Sequence, residues 1–186
     1  MKLYGSYTSP YVRHCRIALM ELGQEWTMIE TDQKASAKAS PSQKVPFLED
    51  GDIRLTDSCT ILRYIREKQG RSFCPDIMDY EKFCLTNTLL DASVNLLLME
   101  RDGIKPDDSP YLKRQQSRVE TGLDALNQYS YENSDSWLDS DLRLACFLDW
   151  ATFRNRFSWD DKENLVALVD WAKSYDAFVE TSPPRS

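Results

Sequence analysis

Apolar positions in the first seventy residues change period several times; after residue 75 they settle into one. Residues 1–5 form a short apolar run ending on Gly5, which predicts a strand leaving a core. Cys15, Ala18, Leu19 and Leu22 then recur at helical spacing, and Gly23 closes the run. Ser9 suits the N-cap of that helix, and Pro10 suits its first position, where an amide would be unpaired anyway. Residues 26–30 alternate and predict a second strand, giving a parallel pair with a right-handed crossover. Residues 32–44, rich in Ala, Ser and Lys, read as a loop with one helical turn. Residues 45–49 and 53–55 flank the turn dipeptide Asp50-Gly51 and predict a hairpin. Thr56-Asp57-Ser58 opens another helix, with Ile61, Leu62 and Ile65 on one face and an end near Gly70.

Beyond Arg71 the pattern is helical throughout. From Pro75-Asp76 a long helix carries Tyr80, Phe83, Leu90, Val94 and Leu97 on one side and Leu85, Leu89, Leu96 and Met99 on another. Such a helix is central in a bundle or shared with a partner subunit. Ser109-Pro110 starts a helix apolar at Leu112, Val119, Leu123 and Leu126. Asp139 or Ser140 can cap one with Leu144, Phe147, Leu148 and Ala151 inward, a last helix covers roughly 161–178, and residues 182–186 are a tail. The pattern divides the chain into an α/β domain over 1–72 and an all-helical domain over 77–182.

Composition narrows the function. The 186 residues suffice for a real core, and a net charge of -7 argues against nucleic acid or anionic membrane as partner. No apolar run approaches a membrane span, and the N-terminus enters a strand without signal-peptide shape. Five scattered cysteines do not resemble a disulfide framework, which points to a cytoplasmic setting. With His14 the only histidine and no Cys-x-x-Cys, no metal site is expected.

Four features of the first domain carry candidate chemistry, and each also has a plain structural reading. Ser9 can donate to a thiolate held at a helix N-terminus, or simply cap. Val45, before Pro46, can pair with an extended peptide if their bond is cis. Asp57 and Ser58 suit an ammonium and a carboxylate at another helix start, or cap it. Lys44 can meet a carboxylate or stay solvated. Together these ask for a ligand with a thiol, a peptide middle and an α-amino-acid end, and glutathione has all three. Cys15 is read as a core residue; His14 shares the helix surface with Arg13 and has no catalytic role.

In order and spacing, Leu3-Tyr4-Gly5-Ser6, Thr8-Ser9-Pro10-Tyr11-Val12-Arg13, Lys44-Val45-Pro46-Phe47-Leu48 and Leu55-Thr56-Asp57-Ser58 resemble the glutathione transferase superfamily, in its serine-type, bacterial-looking branch. The resemblance spans nearly the whole chain. It implies a thioredoxin-like N-terminal domain followed by a helical bundle, a homodimer, and a role in detoxification. It makes Ser9 the thiol-activating residue, sets Val45 after a cis bond to grip the cysteinyl backbone, and gives the γ-glutamyl end to Asp57 and Ser58. Glutathione is then a co-substrate whose sulfur attacks an apolar electrophile between the domains, with Tyr11, Tyr111 and Trp150 as acceptor-wall candidates. Conjugation, peroxide reduction, dehalogenation and isomerisation all start from that thiolate.

The chain departs from the family pattern at three places. Leu138 stands where a Ser or Thr caps the helix before Asp141, a task that passes to Asp139 or Ser140. Ser40 precedes Pro41 in place of Asn, and Gln43 stands where Gly is common. Two rival activators are Tyr4, which points into structure, and Tyr7 in the loop. Cysteine-based exchange lacks a thiol at position 9. The alternative of another class is a non-catalytic regulator resembling the bacterial starvation proteins, which bind a protein partner instead of turning over substrate.

Overall fold

The computed structural model describes residues 1–131 and 137–184. In chain order the elements are β1 (Lys2–Gly5), α1 (Pro10–Leu22), β2 (Thr27–Glu30), α2 (Gln33–Ala39), β3 (Phe47–Asp50), β4 (Ile53–Leu55), α3 (Ser58–Lys68), α4 (Ile77–Arg101), a 3-10 turn (Pro106–Asp108), α5 (Pro110–Leu126), α6 (Asp139–Phe153), α7 (Glu163–Ala172) and α8 (Asp176–Glu180). They form two compact units. One is Met1–Pro75 with the chain from Lys173 onward; the other is Asp76–Ala172.

In the first unit the sheet order is β2-β1-β3-β4, with β1 and β2 parallel and the other pairs antiparallel. Leu3, Phe47 and Leu48 from the sheet are buried with Val12, Cys15, Ile17 and Leu19 of α1 and Ile61, Leu62 and Ile65 of α3. Gly5 permits the closest approach: a β-carbon there would lie 2.4 Å from Val12 Cγ2. Residues 32–44 hold more helix than one turn. Asp32 caps α2 by accepting from the Ala35 amide at 2.7 Å, and the periodicity is faint because only Ser36 of α2 is buried. Arg13 and His14 are not on the helix surface; both are buried.

The second unit is built on α4, which packs against both α5 and α6. That accounts for its two apolar stripes, of which Phe83, Leu89, Leu90 and Leu96 are buried. Tyr80, at the head of the first stripe, is exposed near the helix start with Ile77 and Met78. A β-carbon on Gly122 of α5 would lie 2.4 Å from Leu89 Cδ2, so the α4–α5 packing depends on the missing side chain.

The expected helix over 161–178 is two helices, α7 and α8, interrupted at 173–175. The segment after the break packs with the first unit, although its composition continues that of the second. Of the tail, residues 185 and 186 lie outside the described residues. No described helix is long and apolar enough to cross a membrane.

Candidate functional site

Strand register gathers the candidate residues. Tyr4 pairs with Phe47 at the C-terminal end of β1, so the loop after β1 leaves the sheet beside the chain entering β3. Leu48 pairs with Leu55, so β4 also runs out at that end, into Thr56, Asp57 and the start of α3. Ser9, Val45 and the Asp57-Ser58 pair therefore emerge from one end of one sheet.

The loop leading to Ser9 is braced by its own hydroxyls. Ser6 and Thr8 share a hydrogen bond at 3.0 Å, the Thr8 amide donates to Ser6 Oγ at 3.3 Å, and the Ser9 amide donates to the Ser6 carbonyl at 3.1 Å. Ser9 is the N-cap of α1, and its Oγ accepts from the Val12 amide at 3.4 Å. A hydroxyl that caps acts as acceptor, so its single proton remains to be donated elsewhere. The bond is also long, which leaves the oxygen little committed. The end of α1 adds the positive pole of a helix dipole and favours an anion.

The Val45-Pro46 bond is cis. The chain before it is held by Ser40 and Ser42, whose hydroxyls lie 2.9 Å apart, and Ser42 donates to the Thr56 carbonyl at 3.3 Å. That bond ties the segment leading to Val45 to the segment leading to Asp57. Gln43 adopts φ 53°, the left-handed region where glycine is at ease. Lys44 beside it is exposed. Asp57 is the N-cap of α3, accepting from the Cys59 amide at 2.8 Å, and Ser58 is buried as its first residue.

Of the rival tyrosines, Tyr4 is engaged elsewhere. Tyr4 donates to Glu49 Oε2 at 2.7 Å and stacks on Phe47 with ring centroids 4.3 Å apart. The bond to Glu49, with burial, raises the phenol pKa, which suits a donor already engaged and not an activator of a thiol. Tyr7 lies under the Arg16 guanidinium, 4.8 Å from its ring centroid.

The acceptor candidates divide between the units. Tyr11 is half-buried in the first turn of α1; Tyr111, in α5, is 65% exposed. Trp150 is 4% exposed and faces Phe147 in the interior of α6, so it is a core side chain and not an open wall. Among the described residues no group of three His, Cys, Asp or Glu side chains could hold a metal ion. Ser6 and Thr8 stand within the motifs quoted above, but nothing in the sequence marks their bracing role, and the only signal for Ser42 is the density of Ser in its loop.

Comparison with known proteins agrees with this arrangement. Residues 3–73 match the family model described as glutathione S-transferase, N-terminal domain. The whole chain is 28% identical to the whole of the GST-like protein YibF of Escherichia coli (strain K12). It is 32% identical to a probable glutathione S-transferase, GSTF2, of Oryza sativa subsp. japonica over 51% of this chain and 47% of that one. Among solved structures, a glutathione S-transferase of Methylobacillus flagellatus with glutathione bound superposes with TM-score 0.86 at 24% identity, over 98% of this chain and 99% of that one. One from Methylobacterium radiotolerans, in complex with glutathione sulfonate, gives 0.83 at 21% identity over 100% and 95%. The fold is thus a thioredoxin-like N-terminal sheet domain with a helical domain, as in glutathione S-transferase structures, and the matches support that superfamily.

Proposed function

We propose that this protein is a serine-type glutathione transferase, binding glutathione at the sheet end of its first unit and holding the sulfur as thiolate at Ser9. The observation that carries the reading is the capping geometry of Ser9: its oxygen accepts from Val12, so its proton is free for a ligand. Val45 would pair with the cysteinyl backbone, Asp57 and Ser58 would hold the γ-glutamyl end, and Lys44 would meet a carboxylate. A donor fixed at a helix N-terminus favours the thiolate at neutral pH, because it is aimed where the charge sits and need not reorganise. The thiolate then attacks an electrophilic, apolar small molecule, forming a carbon–sulfur bond as the leaving group departs with its electron pair. Tyr11 and Tyr111 remain the aromatic candidates for the acceptor. The bound glutathione in the Methylobacillus flagellatus relative supports the ligand.

The test is retention on immobilised glutathione and conjugation of chlorodinitrobenzene by the parent and Ser9→Ala. Retention of both proteins, with turnover by Ser9→Ala lowered about a hundredfold, is the expected result. A parent that does not bind removes the reading. A parent that binds but turns over no member of a broad electrophile panel removes the enzyme and leaves a binding protein.

A further inference from the structure

Helix α8 and the residues after it lie far from Ser9 in sequence, yet they hold the helix that Ser9 caps. Arg13, one turn into α1, is 2% exposed, and its amide donates to the Ser9 carbonyl at 2.9 Å. Its guanidinium reaches the C-terminal segment. Nη2 donates to the Phe178 carbonyl at 2.8 Å and to Ser182 Oγ at 3.3 Å, Nε donates to Thr181 Oγ1 at 3.4 Å, and the group stacks 3.7 Å over the Phe178 ring. Arg16, one turn further, donates to the Thr181 carbonyl at 3.1 Å and covers the ring of Tyr7, in the loop before Ser9. At the other end of α1, Glu21 accepts from Tyr175 and pairs with the buried Arg66. The segment 175–182 therefore grips α1 at both ends, and Thr181 near its C-terminal end is fully buried.

We infer that this segment belongs to the thiol-activating apparatus and that Arg13 is a positioning residue for Ser9, an inference that rests on the function proposed above. A buried guanidinium needs its fork of donors matched in direction as well as number. Carbonyl and hydroxyl oxygens of 178–182 supply part of that match, so the position of the α1 N-terminus depends on the C-terminal segment staying docked. A thiolate held by one hydroxyl is sensitive to displacements of about 1 Å, which can cost a hundredfold in rate.

The experiment compares the full-length parent with Arg13→Lys and with the paired variant Thr181→Val/Ser182→Ala. Three quantities are read: the pH dependence of thiolate absorbance for bound glutathione, kcat and KM for conjugation, and hydrogen exchange of the Val12 and Arg13 amides without ligand. In Arg13→Lys, which keeps the charge and loses the fork, the thiol titrates about one pH unit higher. Its kcat falls about tenfold with KM for glutathione within about twofold, and the Val12 amide exchanges about tenfold faster. The paired variant moves all three the same way by about threefold, and it carries the test if Arg13→Lys does not fold. Unchanged exchange and an unchanged titration in a folded variant overturn the inference, because the segment then merely covers α1. Failure of the parent to bind glutathione instead overturns the proposed function, and the exchange measurement alone then decides whether Arg13 positions the helix start.

Discussion

Ser9 caps α1, and in the proposed function the same hydroxyl also donates to a thiolate, because a hydroxyl can accept and donate at once. Its Oγ takes the Val12 amide at 3.4 Å, a loose cap, so Ser9→Ala should cost about 0.5–1 kcal/mol of stability or less. Loss of the donor to a thiolate should instead lower kcat/KM about a hundredfold, the scale seen for a single preorganised donor. Steady-state kinetics beside a urea titration separates the two. Gly5 is a packing requirement: in Gly5→Ala the new methyl meets Val12 at 2.4 Å, and overpacking of that kind should destabilise by about 1–3 kcal/mol. Gln43 carries the opposite expectation. Its φ of 53° is strained for a residue with a β-carbon, so Gln43→Gly relieves about 1 kcal/mol, partly offset by the entropy glycine loses on folding. A small rise in melting temperature would register it.

At the scale of elements, α6 and α7 of the second unit begin without a side-chain cap of their own, as does α5, whose N-cap Ser109 makes no such bond. The N-cap of α6 is Leu138, and Asp139 and Ser140, expected to replace the missing hydroxyl, lie inside its first turn. The buried carboxylate of Asp79, on α4, faces Ser140 there. Helix α7 is served by Asn127, whose Oδ1 accepts from the amides of Asn164 at 3.1 Å and Leu165 at 3.4 Å. Burial raises the Asp79 pKa against the lowering influence of Ser140 and Lys82, while Asp141, paired to Lys82 at 3.0 Å, adds to the rise. A carboxyl with a raised folded pKa binds its proton more tightly folded than unfolded. Its ionised form therefore costs stability at neutral pH, and that cost is relieved as pH falls through the folded value. Asp79→Asn should remove this relief: chemical denaturation from pH 7 down towards the ordinary aspartate range would show a smaller favourable change than in the parent. An identical pH profile in the variant would mean that Asp79 has an unshifted pKa.

For the whole molecule, the surface feature that bears on assembly is the first turn of α4. Ile77, Met78 and Tyr80 are 76%, 52% and 48% exposed there, an apolar group of the kind that marks an interaction site. A homodimer through this face is the expectation, and sedimentation should give a species of twice the chain mass. Ile77→Lys/Met78→Lys should shift it to the monomer with little change in melting of the chain itself. A parent that sediments as a monomer at all concentrations would end that expectation.

Local chemistry was enough to read the elements that announce themselves. The N-cap Ser9 with Pro10, Gly23 in the left-handed region at the end of α1, Asp50-Gly51 in the hairpin and Asp57 before α3 all stand where their backbone preferences put them. The ordered motifs from Leu3 to Ser58 likewise carried the thioredoxin-like fold, through their resemblance to the glutathione transferase superfamily. Tertiary structure decided whatever depends on a partner distant in sequence. The capping of α7 by Asn127, the burial of Arg13 against Phe178 and the return of residues 173–184 to the first unit are instances. So is the core position of Trp150. Propensity and periodicity describe a residue's own few neighbours along the chain. A hydrogen-bond acceptor or an apolar surface supplied from 37 to 165 positions away leaves no mark on that pattern.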